Sequence, residues 1–236
     1  MSQYAPPTAY EDIAKMIDHS LLRPELSEAQ VAEGCRVARD YDVASVCVRP
    51  ADLEYAVRAM EGSGVAVGSV AGFPHGSQTI AVKVFEAREL VRGGATEVDM
   101  VLNIGRLVSR NFRYIESELA QMARACHEGG AILKVIFENA YLTDDLKIAA
   151  CRIATGAGCD FVKTSTGFAP GGATIEDLRL MRQHAGPNVR VKAAGGVRTL
   201  DQALAVREAG CARFGATATA AILDEWRQRL GGAAHA

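Results

Sequence analysis

The chain has 236 residues, 49% of them hydrophobic, and a formal net charge of −2 at neutral pH. That length suits one TIM barrel, for which about 250 residues is typical, and the apolar share supplies a sizeable core. The near-neutral charge gives no electrostatic reason to expect nucleic acid or a membrane surface, and no apolar run approaches the roughly 18 residues that span a bilayer.

Residues 1–10 are polar, contain two prolines and lack the basic-then-apolar pattern of a signal peptide. A cytoplasmic protein with a ten-residue N-terminal extension is the expectation. The first strand candidate centres near Ile17, ahead of Asp18-His19-Ser20-Leu21. A helix follows over Ser27 to Tyr41, opened by the capping-box pattern of Ser27 and Gln30. The second strand candidate centres on Val46, and Pro50 suits the first turn of the next helix. Beyond a strand near Gly68, Ile80, Val84, Ala87 and Val91 fall on one helical face. Strand candidates near Met100, Val135, Lys163, Lys192 and Phe214 then alternate with helical stretches at Phe112–Glu128, Thr143–Thr155, Thr174–His184 and Thr199–Ala209. Gly64, Gly94, Gly130, Gly158 and Gly210 each lead an apolar run, where a left-handed residue would end a helix before the chain turns into a strand.

Eight such units predict a closed (β/α)8 TIM barrel, a single domain over residues 1–236 with a flexible tail at 231–236. The alternative is an open doubly wound sheet. It would want a G-x-G-x-x-G turn after the first strand, and Asp18 to Leu21 is nothing like one.

Six of the 26 basic side chains are lysines, and three of the six lie in consecutive strands: Lys134, Lys163 and Lys192. A barrel strand is buried on both faces, so a lysine there must be paired, reach a rim or lose its proton. A snorkelling or salt-bridged residue explains one such lysine; three in adjacent strands point to amine catalysis. A lysine becomes a nucleophile when low dielectric and a neighbouring cation depress its pKa from about 10.4. One of the three would attack a carbonyl while another stays charged beside it. The fourth strand adds Asp99, a counter-ion or a proton carrier among the lysines.

The seventh and eighth strands end in Ala193-Ala194-Gly195-Gly196-Val197-Arg198 and Gly215-Ala216-Thr217-Ala218-Thr219. TIM barrels often bind phosphate with these two loops, where glycines let backbone N–H groups approach the anion. Thr164-Ser165-Thr166-Gly167 offers a further small polar turn, and Arg198 is either a phosphate contact or a solvated helix-start residue. Of five histidines only His19 and His75 lie near strand ends, too few for a three-histidine metal site, so no metal is expected. The six cysteines form no C-x-x-C and read as buried free thiols, with Cys47 a core thiol or one facing the barrel mouth.

The chain resembles the deoxyribose-phosphate aldolase family from IDHSLL at Ile17 to FGATAT at Phe214, through SVCVRP, VAGFPHG, EVDMVLNIG, LKVIFE, DFVKTSTGF and VKAAGGVRT. The resemblance implies that Lys163 forms a Schiff base with acetaldehyde and that Asp99 and Lys192 serve proton transfer. It implies that Gly167, Gly195, Gly196, Ala216 and Thr217 bind the phosphate of glyceraldehyde 3-phosphate. Asp18 would place the substrate hydroxyls, and Lys134, grouped with the substrate-binding set, would tune local charge. Neither metal nor organic cofactor is implied; a phosphosugar, acetaldehyde and a homodimer are. Ser20 stands where the family usually has Thr, Thr217-Ala218 where Ser-rich pairs are common, and the tail GGAAHA lacks the terminal tyrosine of longer members. The alternatives are another class I or transaldolase-like Schiff-base barrel, and a non-catalytic phosphosugar-binding barrel.

Overall fold

The computed structural model describes residues 4–233. Eight strands pair in parallel, each with its neighbour in sequence: β1 (Ile17–Leu21), β2 (Ser45–Val48), β3 (Ala66–Ala71), β4 (Glu97–Val101), β5 (Ile132–Ile136), β6 (Phe161–Lys163), β7 (Arg190–Ala193) and β8 (Arg213–Ala216). β8 also pairs with β1, so the sheet closes into a barrel and the open-sheet alternative falls. Each strand candidate read from the sequence lies in a strand, although Ile17 begins β1 rather than centring it.

The helices are α1 (Glu11–Ala14), α2 (Glu28–Asp40), α3 (Leu53–Met60), α4 (Ile80–Arg92), α5 (Ile104–Val108), α6 (Phe112–His127), α7 (Asp144–Gly156), α8 (Ile175–His184), α9 (Leu200–Glu208) and α10 (Thr219–Ala233). The Ser27 and Gln30 capping box forms at α2, and Pro50 starts a 3-10 turn that runs into α3. Four of the five leading glycines have positive φ; Gly64 does not, and Gly62 at φ +71° makes that turn instead. Gly231 to Ala233 belong to α10 rather than to a tail, and residues 234–236, with His235 and the rest of the terminal sequence, lie outside the described residues. No helix among the described residues is long and apolar enough to cross a membrane. All six cysteines are free and buried.

Strand and helix faces meet in one apolar layer around the barrel, including Val46, Val98, Leu133, Val135 and Val191. One ion pair is sunk in it. Lys83 of α4 and Glu118 of α6 are both fully buried, with Nζ 2.7 Å from Oε1. Burial pushes the Lys83 amine down and the Glu118 carboxyl up, each against the other's pull. Lys83 Nζ also donates to the carbonyls of Gly76 (2.8 Å) and Val101 (2.7 Å), and Glu118 accepts from the Asn103 N–H at 2.8 Å. The pair therefore ties the loop after β3 to the end of β4, the strand that carries Asp99. Gly72 is required beside it: its φ is +60°, and a Cβ there would stand 2.7 Å from Lys83 Cε. Glu118→Ala leaves a buried ammonium without its partner and should cost about 3–5 kcal/mol in urea unfolding. The double change Lys83→Met with Glu118→Leu should recover most of that loss.

Candidate active site

The parallel register brings the charged residues together. Asp99 stands beside Lys134, Lys163 beside Lys192, and Lys192 beside Arg213, so each pair shares a face of the sheet. All of them point into the barrel, where strands far apart in sequence meet. Lys163 Nζ lies 2.7 Å from Asp99 Oδ2, and Lys192 Nζ lies 2.8 Å from the same oxygen. Lys192 also pairs with Asp18. Lys134 contacts Asp18 Oδ2 at 2.8 Å, Asp99 Oδ1 at 3.3 Å and the Glu97 carboxylate. Arg213 closes the network with Nε 2.7 Å from Asp18 and a terminal nitrogen 2.6 Å from Glu97. The Ser45 hydroxyl donates to Asp18 at 2.8 Å. Below the cluster lies the Phe161 ring, with the Arg190 guanidinium 4.0 Å from its centroid.

Three carboxylates, Asp18, Glu97 and Asp99, thus face four bases, Lys134, Lys163, Lys192 and Arg213. The cluster is neutral when one base is uncharged, and Lys163 has the fewest partners. Burial, only partly offset by Asp99 and reinforced by the Lys192 cation, holds its amine below the ordinary lysine value. Burial also opposes charge on Lys192, but Asp18 and Asp99 outweigh it and keep that amine above the ordinary value. Lys134 is raised further, since Asp18, Asp99 and Glu97 together overcome its burial. Despite complete burial, the surrounding cations hold the Asp18 and Asp99 carboxyls well below the usual carboxylate range.

Above the cluster, at the C-terminal ends of the strands, opens a cavity of about 440 Å³. Such mouths are where TIM barrels keep their active sites. Lys163, Lys192 and Asp18 reach its floor, and Gly167, Gly195, Gly196, Ala216 and Thr217 line its wall. Gly167, Gly195 and Gly196 have φ of +88°, +79° and +97°, left-handed conformations that glycine takes without a Cβ penalty. Ser20 and Arg198 also face the cavity. Asp99 is fully buried beneath the floor and does not line the cavity. Lys134 is fully buried, does not line the cavity, and its ammonium is taken up by three carboxylates.

Glu97 and Arg213 join the site without standing out in the sequence. Glu97 precedes Asp99 by two residues and so shares its face, a signal that the strand period carries. Cys47 lines the cavity and also packs with Leu22 and Val70, so both of its sequence readings hold; burial pushes its thiol up to about 11. His19 is buried against the Thr219 hydroxyl at 2.8 Å, and burial pushes its pKa down to about 4. His75 is exposed in the loop after β3. Among the described residues no group of three or more His, Cys, Asp or Glu side chains is arranged to hold a metal ion.

Residues 13–224 match the model of the DeoC/LacD family aldolases. The chain belongs to this aldolase family. A deoxyribose-phosphate aldolase of Rhodopirellula baltica is 48% identical over 222 residues, covering 94% of this chain and 92% of the relative. One from a Thermoanaerobacter species is 49% identical over 218 residues, covering 92% and 98%. Among solved structures, the deoxyribose phosphate aldolase of Aeropyrum pernix superposes with a TM-score of 0.86 at 30% identity, covering 94% of this chain and 93% of that one.

The charge count in this aldolase makes a prediction for a residue outside the cavity. Arg213→Met removes one cation and leaves three carboxylates facing three lysines, so charge balance favours a proton on Lys163. The pH of half-labelling of Lys163 by an amine acylating reagent, read by peptide mass spectrometry, should rise by on the order of one pH unit.

Proposed function

We propose that this chain catalyses the reversible aldol cleavage of 2-deoxy-D-ribose 5-phosphate to D-glyceraldehyde 3-phosphate and acetaldehyde, through a Schiff base on Lys163. The observation that carries the reading is a lysine amine of depressed pKa at the floor of a cavity walled by glycine loops. The named relatives supply the substrate.

In the synthetic direction the neutral Lys163 amine adds to the carbonyl carbon of acetaldehyde. The carbinolamine gains a proton on its oxygen and loses water, giving the iminium. Asp99 and Lys192, both at the Lys163 nitrogen or its immediate neighbour, serve the proton transfers. A methyl proton then leaves, and the resulting enamine carbon attacks the aldehyde carbon of glyceraldehyde 3-phosphate. That carbonyl oxygen takes a proton as the carbon–carbon bond forms. Water hydrolyses the iminium, releases 2-deoxy-D-ribose 5-phosphate and restores the free amine. Every proton taken up in one step is given back in another, and no electrons change hands, so the cycle as written calls on no metal or organic cofactor.

Backbone N–H groups at Gly167, Gly195, Gly196, Ala216 and Thr217 bind the phosphate, with Arg198 adding charge at the rim. Asp18, on the floor, orients hydroxyls through the proton-rich side of its network. A phosphorylated substrate does not cross membranes unaided, which suits a cytoplasmic enzyme acting in deoxyribose phosphate catabolism. The A. pernix relative is described as tetrameric; for this chain we propose a homo-oligomer of at least two copies, to be read by light scattering.

Borohydride reduction in the presence of acetaldehyde should leave a two-carbon adduct on Lys163, located by peptide mapping. An adduct on Lys134 or Lys192 instead would overturn the assignment. Lys163→Arg should abolish turnover, because a guanidinium does not deprotonate usefully. Lys192→Met should lower kcat and move the acid limb of kcat/KM to higher pH. The sign follows from the loss of a cation that depresses Lys163, with Asp99 left to raise it.

A further inference from the structure

Glu138 carries two costs at one position. It follows β5 with φ +57° and ψ +65°, a left-handed conformation that non-glycine residues seldom take. Its side chain is buried, at 2% exposure, and no basic side chain among the described residues pairs with it. Backbone strain of this kind persists where the surroundings hold it in place.

What the side chain holds is the loop after β6. The backbones of the two strand ends are already joined, with Phe137 N–H on the Lys163 carbonyl at 3.0 Å and Asn139 N–H on the Thr164 carbonyl at 2.9 Å. Glu138 extends the seam. It accepts from the Thr166 N–H at 3.2 Å and from the Thr166 hydroxyl, and that hydroxyl accepts from the Phe168 N–H at 3.0 Å. Gly167 lies between these two fixed residues.

The loop needs fixing because there is space on both sides of it. The active-site cavity lies in front. Behind Thr166 and Phe168 is a second cavity of about 280 Å³, whose far wall includes Pro74, His75, Ile104 and Tyr141. Phe168 is 39% exposed and touches Phe73 edge-on at 5.4 Å, a contact that does not reach Gly167. The Arg23 guanidinium also lies 6.0 Å from the Phe168 ring centroid, another contact at the ring rather than at Gly167, so the side-chain tie at Thr166 comes from Glu138.

We infer that Glu138 is a positioning residue for the phosphate end of the substrate: its hydrogen bonds to Thr166 hold Gly167 against the active-site cavity rather than the cavity behind. The inference rests on the reading that Gly167 contacts the phosphate. It does not involve the Lys163 chemistry, which lies deeper in the barrel.

The test compares cleavage of 2-deoxy-D-ribose 5-phosphate with that of unphosphorylated 2-deoxy-D-ribose. Glu138→Ala should raise KM for the phosphorylated sugar by about tenfold or more, as expected for losing hydrogen bonds to a carboxylate. Its kcat, and kcat/KM for the unphosphorylated sugar, should stay within about twofold of the parent enzyme. Glu138→Gln keeps one acceptor oxygen and should fall between the two. If the alanine variant does not fold, the glutamine variant carries the test by the same split. An equal loss on both sugars, or an unchanged KM for the phosphorylated one, would overturn the inference. Gly167→Ala, strained at φ +88°, separates the two layers of the argument. If it leaves the phosphate preference intact, the Gly167 contact is wrong and the inference falls with it. If it abolishes the preference while Glu138→Ala does not, the role of Glu138 alone is wrong.

Discussion

Three carboxylates and four bases share the interior of this barrel, and their charge balance governs the rest of the site. Fixed charges in a low dielectric are tolerated only when paired, and an excess of one sign is relieved most easily by moving a proton. Lys134 and Arg213 are each held by more than one carboxylate, and Lys192 by two. Lys163 has Asp99 alone, which Lys192 and Lys134 also contact. The proton is therefore held least firmly at Lys163. The same crowding that would destabilise an arbitrary core makes Lys163, at the cavity floor, the base that gives up its proton most readily.

Barrel closure is what makes this possible. Asp18 on β1 and Arg213 on β8 are 195 residues apart in the chain, and they meet because β8 returns to β1. The parallel register then stacks inward-facing residues of adjacent strands, so that Lys163 and Lys192 sit side by side. The loops above have a different task. They are small and turn through positive φ, which leaves room for an anion over the floor. The charged cluster and the glycine loops are thus separated by depth, the first on strands and the second at the strand ends.

Much of this is legible in the chain. The strands announce themselves as short apolar runs, and lysines inside such runs are conspicuous in a protein that otherwise favours arginine. The depth of each lysine is not legible. Lys134 and Lys192 look alike in ILKVIF and RVKAAG, yet one lies under the floor and the other reaches the cavity. That difference depends on the register between strands, which no single segment encodes. Arg213 hides among many surface arginines, and its partners come from β1 and β4, distant in sequence. Lys83 escapes notice because periodicity gives α4 an apolar face of Ile80, Val84, Ala87 and Val91. The buried positions are Lys83, Ala87 and Leu90, and a lysine at a core position is legible only once Glu118 is beside it. In the sequence, only the family resemblance selects Lys163 as the nucleophile; the charge balance gives an independent physical reason for the same choice.

The chemistry of the site depends on the protonation of that one amine. With only six lysines, the chain suits an NMR titration of carbon-13 label at the lysine Cε positions, each resonance assigned by single Lys→Arg variants. The Lys163 resonance should titrate below the ordinary lysine value of about 10.4, while Lys134 and Lys192 remain protonated above it. A Lys163 that stays protonated while Lys134 or Lys192 loses its proton first would contradict the assignment of Lys163 as the nucleophile.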